Sequence, residues 1–409
     1  MLIRLHKVLL ICFIDAVLYI LMTNQVKAAT VEEEIREFLE AYFHAQYQCL
    51  SNLKEKDMKE FYYIESLEGE KAYSIDKEAL SFIIECRSIQ ENDLKLKNYQ
   101  FNLSYKVNEI HIDNANVVLI ENSKFHFQFL KGIVSQKYNV EHKFKMKRTE
   151  TGWKICGHES NEDEFKVISD GIGEFRSYES VKEFYLDIMR KNKETQKKDI
   201  RYRKDDENEL KKAKKEAHQS NRQKANYLNY YHREKAVIYA KQWSENGARL
   251  RNSPTWGNYD PPVGNGDCTN FISQCIYSGG IPMDYTGMEF EQWKWYGDIY
   301  NSAQVAKGRV ASWTGVQGFY NYCKFNKGFG MSAFVDSSWN KVQIGDVVQL
   351  GKSEDNFFHS VIVTEYAYDD KDTLKDFLIC SHTTDRYNYP LSAYSYPLKR
   401  YIHINGWSN

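Results

Sequence analysis

The sequence has almost no surplus of either charge: 55 Lys and Arg stand against 56 Asp and Glu among 409 residues. A protein that wraps nucleic acid needs spare cations to displace condensed counterions, so that class is excluded. Long apolar runs are missing beyond the extreme N-terminus, which excludes a polytopic membrane protein. No pair of the eight cysteines has CxxC spacing, so no zinc knuckle is encoded, and their scatter is unlike a small disulfide-stapled scaffold. What is present is 42% hydrophobic and 15% aromatic residues. That supports packed cores, and the length suits two or three units of about 100–200 residues.

The one apolar run, Val8 to Met22, follows Arg4 and Lys7 and precedes the small-residue site Val26-Lys27-Ala28-Ala29. Charged head, apolar middle and small residues predict a secretory signal over residues 1–29. Asp15 interrupts the run, so an uncleaved N-terminal anchor is the other form of export. The expected destination is outside the cell or in its envelope, with membrane attachment only through this segment. Cys12 lies within it, which leaves seven cysteines in the mature chain and at least one free thiol.

Composition changes near residue 230: all six prolines, 16 of 22 glycines and seven of eight tryptophans lie beyond it. Residues 30–180 read as an α+β domain. Thr30-Val31-Glu32-Glu33 forms a capping box before Val31, Ile35, Phe38, Leu39, Tyr42 and Phe43 at helical spacing. From Tyr99 the period becomes two, through Phe101, Leu103, Tyr105 and Val107. Phe125, Phe127 and Phe129 repeat it, as do Tyr138, Val140, Phe144 and Met146, and Thr151-Gly152 turns the last strands into a hairpin. Helices before an antiparallel sheet resemble the NTF2-like cone fold. His44, His111, His126 and His142 lack ligand spacing and are read as exposed or packed. Residues 191–220 hold 11 Lys or Arg and 7 Asp or Glu with few large apolar side chains. Residues 181–230 are therefore expected to be a charged helical linker.

Residues 231–409 carry the chemistry. Ala236, Val237, Ala240 and Trp243 share one helical face. A proline-bearing loop then leads to Gly264-Asn265-Gly266-Asp267-Cys268, after which Phe271, Ile272, Cys275 and Ile276 line a short helix ended by Gly279-Gly280. Cys268 falls at the first turn, where unpaired N–H groups favour a thiolate and can receive an oxyanion. Asp267 opposes the thiolate unless it points away as a cap, so a histidine partner is required. His359 follows a strand-turn signal and alternates with Val361 and Val363, and His382 ends the next strand. Neighbouring strands would let one imidazole take the thiol proton and the other orient it. Asp385 and Asn388 are rival orienters.

The stretches GDCTNFISQCIYSGGIPM, SWTGVQGFYNY, IGDVVQL with His359-Ser360-Val361, and SHTTDRYNYPLS resemble the Putative amidase domain family. That family belongs with the papain-like NlpC-type and CHAP cysteine peptidases. The resemblance covers about residues 231–407 and implies a papain-like α+β fold, a helix-borne cysteine on a small antiparallel sheet. It carries the nucleophile to Cys268, the base to His359 and the third polar residue to His382. It also implies hydrolysis of amide or peptide bonds in cell-wall peptidoglycan, without a metal or organic cofactor.

Cys275 is read as core, since two helical turns separate it from Cys268. That separation also disfavours a zinc site of Cys268, Cys275, His359 and His382. Trp295 and Trp313 are candidates to wall a substrate cleft, and Tyr259 or Asn265 to supply a second oxyanion donor. The alternative function is a non-catalytic wall-binding module of the same shape, distinguished by an unreactive Cys268.

Overall fold

The computed structural model describes residues 31–194, 229–247, 251, 255–261, 264–295, 309–369, 371 and 373–409. The expected signal and most of the expected linker lie outside the described residues. Among the described residues no helix is long and apolar enough to cross a membrane. The architecture is mixed helix and strand around one large antiparallel sheet, in agreement with the α+β expectation.

The N-terminal half begins with helix α1 (residues 31–52) and α2 (Leu67–Ile89). Val31, Ile35, Leu39, Tyr42 and Phe43 of α1 are buried, the stripe that their spacing predicts. Ser66 caps α2, its hydroxyl accepting from the Gly69 N–H. Strands β1 (Leu96–Ile110), β2 (Asn114–Phe127), β3 (Ser135–Thr149) and β4 (Gly152–Ser160) form a meander where alternating aromatic and aliphatic residues predict strands. Gly152 makes the last turn at φ +106°, a conformation costly for any side chain. Helices α3 (Asp163–Ser169) and α4 (residues 178–194) follow. Helix α4 opens the segment read as a charged helical linker; its Val181, Tyr185 and Met189 recur every four residues and are buried.

The C-terminal half contains α5 (Arg233–Ser244), α6 (Cys268–Ser278), α7 (Ala311–Thr314) and α8 (Val316–Phe325). Its strands are β5 (Gly330–Ser337), β6 (Val347–Ser353), β7 (Asn356–Tyr368), β8 (Leu374–Ser381), β9 (Asp385–Pro390) and β10 (Leu398–Ser408). Strand order is β1-β2-β3-β9-β8-β7-β6-β10-β5, with β4 also on β3. The two halves therefore share one sheet, joined where Gln136, Lys137 and Tyr138 pair with Tyr387, Arg386 and Asp385.

Strand alternation gives the C-terminal strands two buried faces. Val347, Ile362, Cys380 and Ile402 pack with Phe271, Ile272 and Cys275 of α6. Val348, Leu350, Val361 and Val363 pack in a core with Phe82 of α2, Val167 of α3 and Leu186 of α4. The acidic run Glu162-Asp163-Glu164 is buried against this second face. Glu162 and Asp163 hold the fully buried Arg386 at 2.6 and 3.0 Å. Glu164 accepts from the Ser395 hydroxyl at 2.8 Å and from the Tyr389 hydroxyl at 3.1 Å.

Candidate functional site

The glycines before Cys268 shape its approach. A Cβ on Gly264 would stand 2.5 Å from the Tyr259 carbonyl oxygen, and Gly266 has φ +149° while donating its N–H to that same oxygen. The turn delivers Asp267 to the N-cap position and Cys268 to the first residue of α6. Asn270 fixes this turn by donating to the Gly257 carbonyl at 2.9 Å and to Asp267 Oδ1 at 2.8 Å.

Asp267 occupies the cap position without capping, since its side chain makes no bond to the helix backbone. It accepts from the Tyr259 N–H at 3.1 Å through Oδ1, and its Oδ2 lies 2.8 Å from Nδ1 of His382. Its carboxylate is thus bound to a partner that the sequence reading did not assign to it, and its charge still opposes the thiolate at Cys268. His382 Nε2 lies 2.7 Å from the Trp243 carbonyl oxygen, and the ring stacks on Phe271 at 3.8 Å between centroids. Both nitrogens of His382 are accordingly engaged with Asp267 and Trp243. Burial raises the Asp267 carboxyl to about 6 and lowers the His382 imidazole to about 3.

The sulfur of Cys268 is buried beside the backbone N–H groups of Ser360 and Thr269, with the Thr269 hydroxyl at 3.8 Å. These donors favour a thiolate, but burial outweighs them and pushes the thiol up from its ordinary value. The helix terminus alone therefore does not supply the thiolate, consistent with the expectation that a histidine partner is required. The structure gives a protonated thiol, because desolvation penalises an anion more than two N–H dipoles repay.

His359 is the residue before Ser360 on β7, so its backbone adjoins the sulfur. Ser360 faces α6, its hydroxyl 3.1 Å from that of Thr269, whereas His359 alternates with Val361 and Val363 and lies 6.2 Å from Tyr394, ring to ring. Its Nε2 is buried without a hydrogen-bond partner. Burial, with the Arg386 charge, lowers its imidazole to about 3, so the ring is neutral at physiological pH. Among the described residues no hydrogen bond joins it to Cys268 or to His382.

Trp313 is fully buried and donates its indole N–H to Asn270 at 2.9 Å, a contact that steadies the first turn of α6. Trp295 is half-buried and donates to the Tyr259 hydroxyl at 3.1 Å, while Asn265 is exposed on the loop. Cys275 is buried in the core of the α6 face. Asp385 binds Arg251 at 2.6 Å, and the Asn388 carbonyl accepts from Ser135 at 2.7 Å. Among the described residues no cluster of His, Cys, Asp and Glu is placed to hold a metal ion. Sequence reasoning passed over Thr269, Ser360 and Gln349, hydroxyl and amide residues linked behind the sulfur; the only signal was polar residues at buried positions of α6, β6 and β7.

Residues 230–404 match a family described as Putative amidase domain, in accordance with the sequence resemblance. The match covers less than half of the chain and includes Cys268, His359 and His382. No curated protein and no solved structure matches the chain.

Proposed function

We propose that the protein is a cysteine-dependent amide hydrolase with Cys268 as nucleophile and His359 as general base. The observation that carries this reading is a thiol at the first residue of α6, on the N–H groups of Thr269 and Ser360 and next along the strand to a neutral histidine with an unpartnered nitrogen. A protonated thiol and a neutral imidazole suit proton transfer concerted with attack rather than a preformed ion pair. His359 takes the proton as sulfur adds to the carbonyl carbon. The oxyanion is received by N–H groups at the start of α6, and the imidazolium returns the proton to the departing amine. Water, deprotonated by His359, then cleaves the thioester. Catalytic hydrogen bonds commonly close only with substrate bound; His359 shares the face of Val361 and Val363, so this step requires its ring to turn toward α6, past Ser360, whose backbone N–H lies beside the sulfur.

A helix-borne cysteine against an antiparallel sheet supports a papain-like fold for this half, and helices before a β-meander support an NTF2-like one for the other. The N-terminal charged-apolar segment and the family resemblance support export, and with it the peptide stems of cell-wall peptidoglycan as substrate. His382 and Asp267 hold the first turn of α6 in this reading, so His382 orients the nucleophile's helix.

One observation favours a second reading, a wall-binding module without turnover: burial raises the thiol and, among the described residues, no imidazole is bonded to it. The test is the full chain incubated with purified peptidoglycan and with synthetic stem peptides, products being identified by mass spectrometry. Cys268→Ala should abolish product while circular dichroism is unchanged, and His359→Ala should lower kcat by about a hundredfold or more. Turnover undiminished in Cys268→Ala removes the assignment; binding without turnover in the wild type selects the second reading.

A further inference from the structure

A cavity of about 590 Å³ opens between the two halves, away from the nucleophile. Gln90, Met189 and Asn192 line it from the N-terminal half, and β5, β6, β7 and β10 or their flanking residues from the other. Neither Cys268 nor His359 reaches its wall. Its volume lies in the range of small-molecule sites, and such sites favour junctions of this kind.

Carboxylates line the cavity, yet two of its cations have no direct ion-pair partner. Arg400 is nearly buried and lies between two rings, 3.7 Å from the centre of Tyr320 and 4.1 Å from that of Phe357. Among the described residues its guanidinium donates to neutral side-chain amides, Gln349 at 2.7 Å and Gln317 at 3.2 Å. The neighbouring Lys399 ammonium donates to the Tyr394 carbonyl at 3.3 Å. Among the described residues no carboxylate stands within ion-pair distance of either cation. Of the three lining acids, Asp376 accepts from the Ser392 hydroxyl and the Phe377 N–H, Asp336 accepts from the Tyr320 hydroxyl, and the exposed Glu354, like Asp336, acts on Arg400 only from beyond ion-pair distance. Two desolvated cations, both lowered chiefly by burial, beside aromatic walls and serine hydroxyls suit a ligand with a carboxylate and a partly apolar body.

Arg400 is also the far end of a buried chain that reaches the sulfur. The Gln349 amide that accepts from Arg400 donates through Nε2 to the Ser360 hydroxyl at 3.2 Å. The Ser360 and Thr269 hydroxyls stand 3.1 Å apart and the Thr269 hydroxyl 3.8 Å from the Cys268 sulfur, and one proton arrangement has Ser360 donate to Thr269 and Thr269 toward Cys268. All four donors then point toward the thiol, an arrangement in which each bond polarises the next.

We propose that this cavity binds a ligand with a free carboxylate, of the class of a short peptide acid, and that its occupancy is transmitted through Arg400, Gln349, Ser360 and Thr269 to the reactivity of Cys268. The binding claim stands apart from the hydrolase reading. The regulatory claim rests on it only in that Cys268 is the reacting thiol, and cleavage of a peptide amide generates a ligand of this class.

The experiment uses the full chain and trialanine, its C-terminal amide and inorganic phosphate as probes. Calorimetry should show one saturable site for trialanine, with affinity at least about tenfold weaker for the amide and for Arg400→Gln, and unchanged in Cys268→Ala. Should Arg400→Gln fail to fold by circular dichroism, Lys399→Gln serves as the weakened variant. Iodoacetamide labelling of Cys268, followed by peptide mass spectrometry, should change in rate by about fivefold on saturation with trialanine. That change should vanish in Ser360→Ala, and the carbamidomethylated protein should show the reciprocal shift in affinity for trialanine. Equal binding of acid and amide, displacement by phosphate at equal concentration, or no binding overturns the site. Binding with a labelling rate that does not move overturns the coupling. Loss of hydrolysis in Cys268→Ala leaves the binding measurement untouched, so the two readings fail separately.

Discussion

A carboxyl oxygen 2.8 Å from an imidazole nitrogen, both wholly buried, has to settle the place of one proton. The Trp243 carbonyl can only accept, so His382 carries a hydrogen on Nε2 and a second proton must lie between Nδ1 and Asp267. Burial raises the acid and lowers the base, which favours the uncharged arrangement, the carboxyl donating to the ring. An asparagine can donate in the same way. Asp267→Asn is therefore expected within about 1 kcal/mol of the wild type in urea unfolding at pH 7, whereas Asp267→Ala, which strands Tyr259, Asn270 and His382, should lose about 3 kcal/mol or more. A large loss in Asp267→Asn would establish a buried ion pair instead. His359 gives a pH signature. With the folded imidazole lowered to about 3, the unfolded chain takes a proton near pH 6.5 that the folded chain refuses. Its contribution is present above pH 6.5 and lost as pH falls toward 3, up to about 5 kcal/mol. Urea midpoints between pH 7 and pH 4 should fall more steeply for the wild type than for His359→Gln; equal slopes would place the ring in solvent.

At the scale of elements, what the sequence disclosed was periodicity and punctuation. The glycine loop, Cys268 at a helix start and Gly279 at its end are visible because each is local: a glycine where a Cβ would strike Tyr259, an apolar stripe with period 3.6, a helix stop. Strands β1 to β4 are visible because half-buried strands alternate. Period two assigns side chains to faces but not strands to neighbours. Thus Tyr138 and Val140 mark β3, yet nothing in them announces that Gln136 to Tyr138 pair with β9 some 250 residues on. The same limit hid the partner of Asp267, which its position beside Cys268 presents as a cap. It also hid the packing of His142, which stands 3.0 Å from His158 and 3.3 Å from Glu121 within a buried chain. The packed reading of that histidine describes it, but His158 carried no pattern of its own.

At the scale of the whole molecule, the sheet shared by the two halves has a thermodynamic consequence. The face of β6 to β8 turned away from α6 holds Val348, Leu350, Val361, Val363, Phe377 and Ile379 in one core with Phe82, Leu94, Val167, Val181 and Leu186. Uncovering even four such side chains costs about 6–12 kcal/mol at about 1.5–3 kcal/mol each, comparable to the whole stability of an ordinary domain. Arg386 would lose Glu162 and Asp163 in the same event, leaving a charge whose partners lie in the other half. The segment that carries the nucleophile is thus expected to depend on the helices that precede it. The full chain should unfold in a single transition, with tryptophan fluorescence, reporting mainly residues beyond 230, and far-ultraviolet circular dichroism giving the same midpoint. Residues 229–409 expressed alone should aggregate or bind a hydrophobic dye, and adding residues 31–194 in trans should reduce that binding. A soluble fragment 229–409 with the full chain's melting temperature would show that the shared core contributes nothing to the catalytic half.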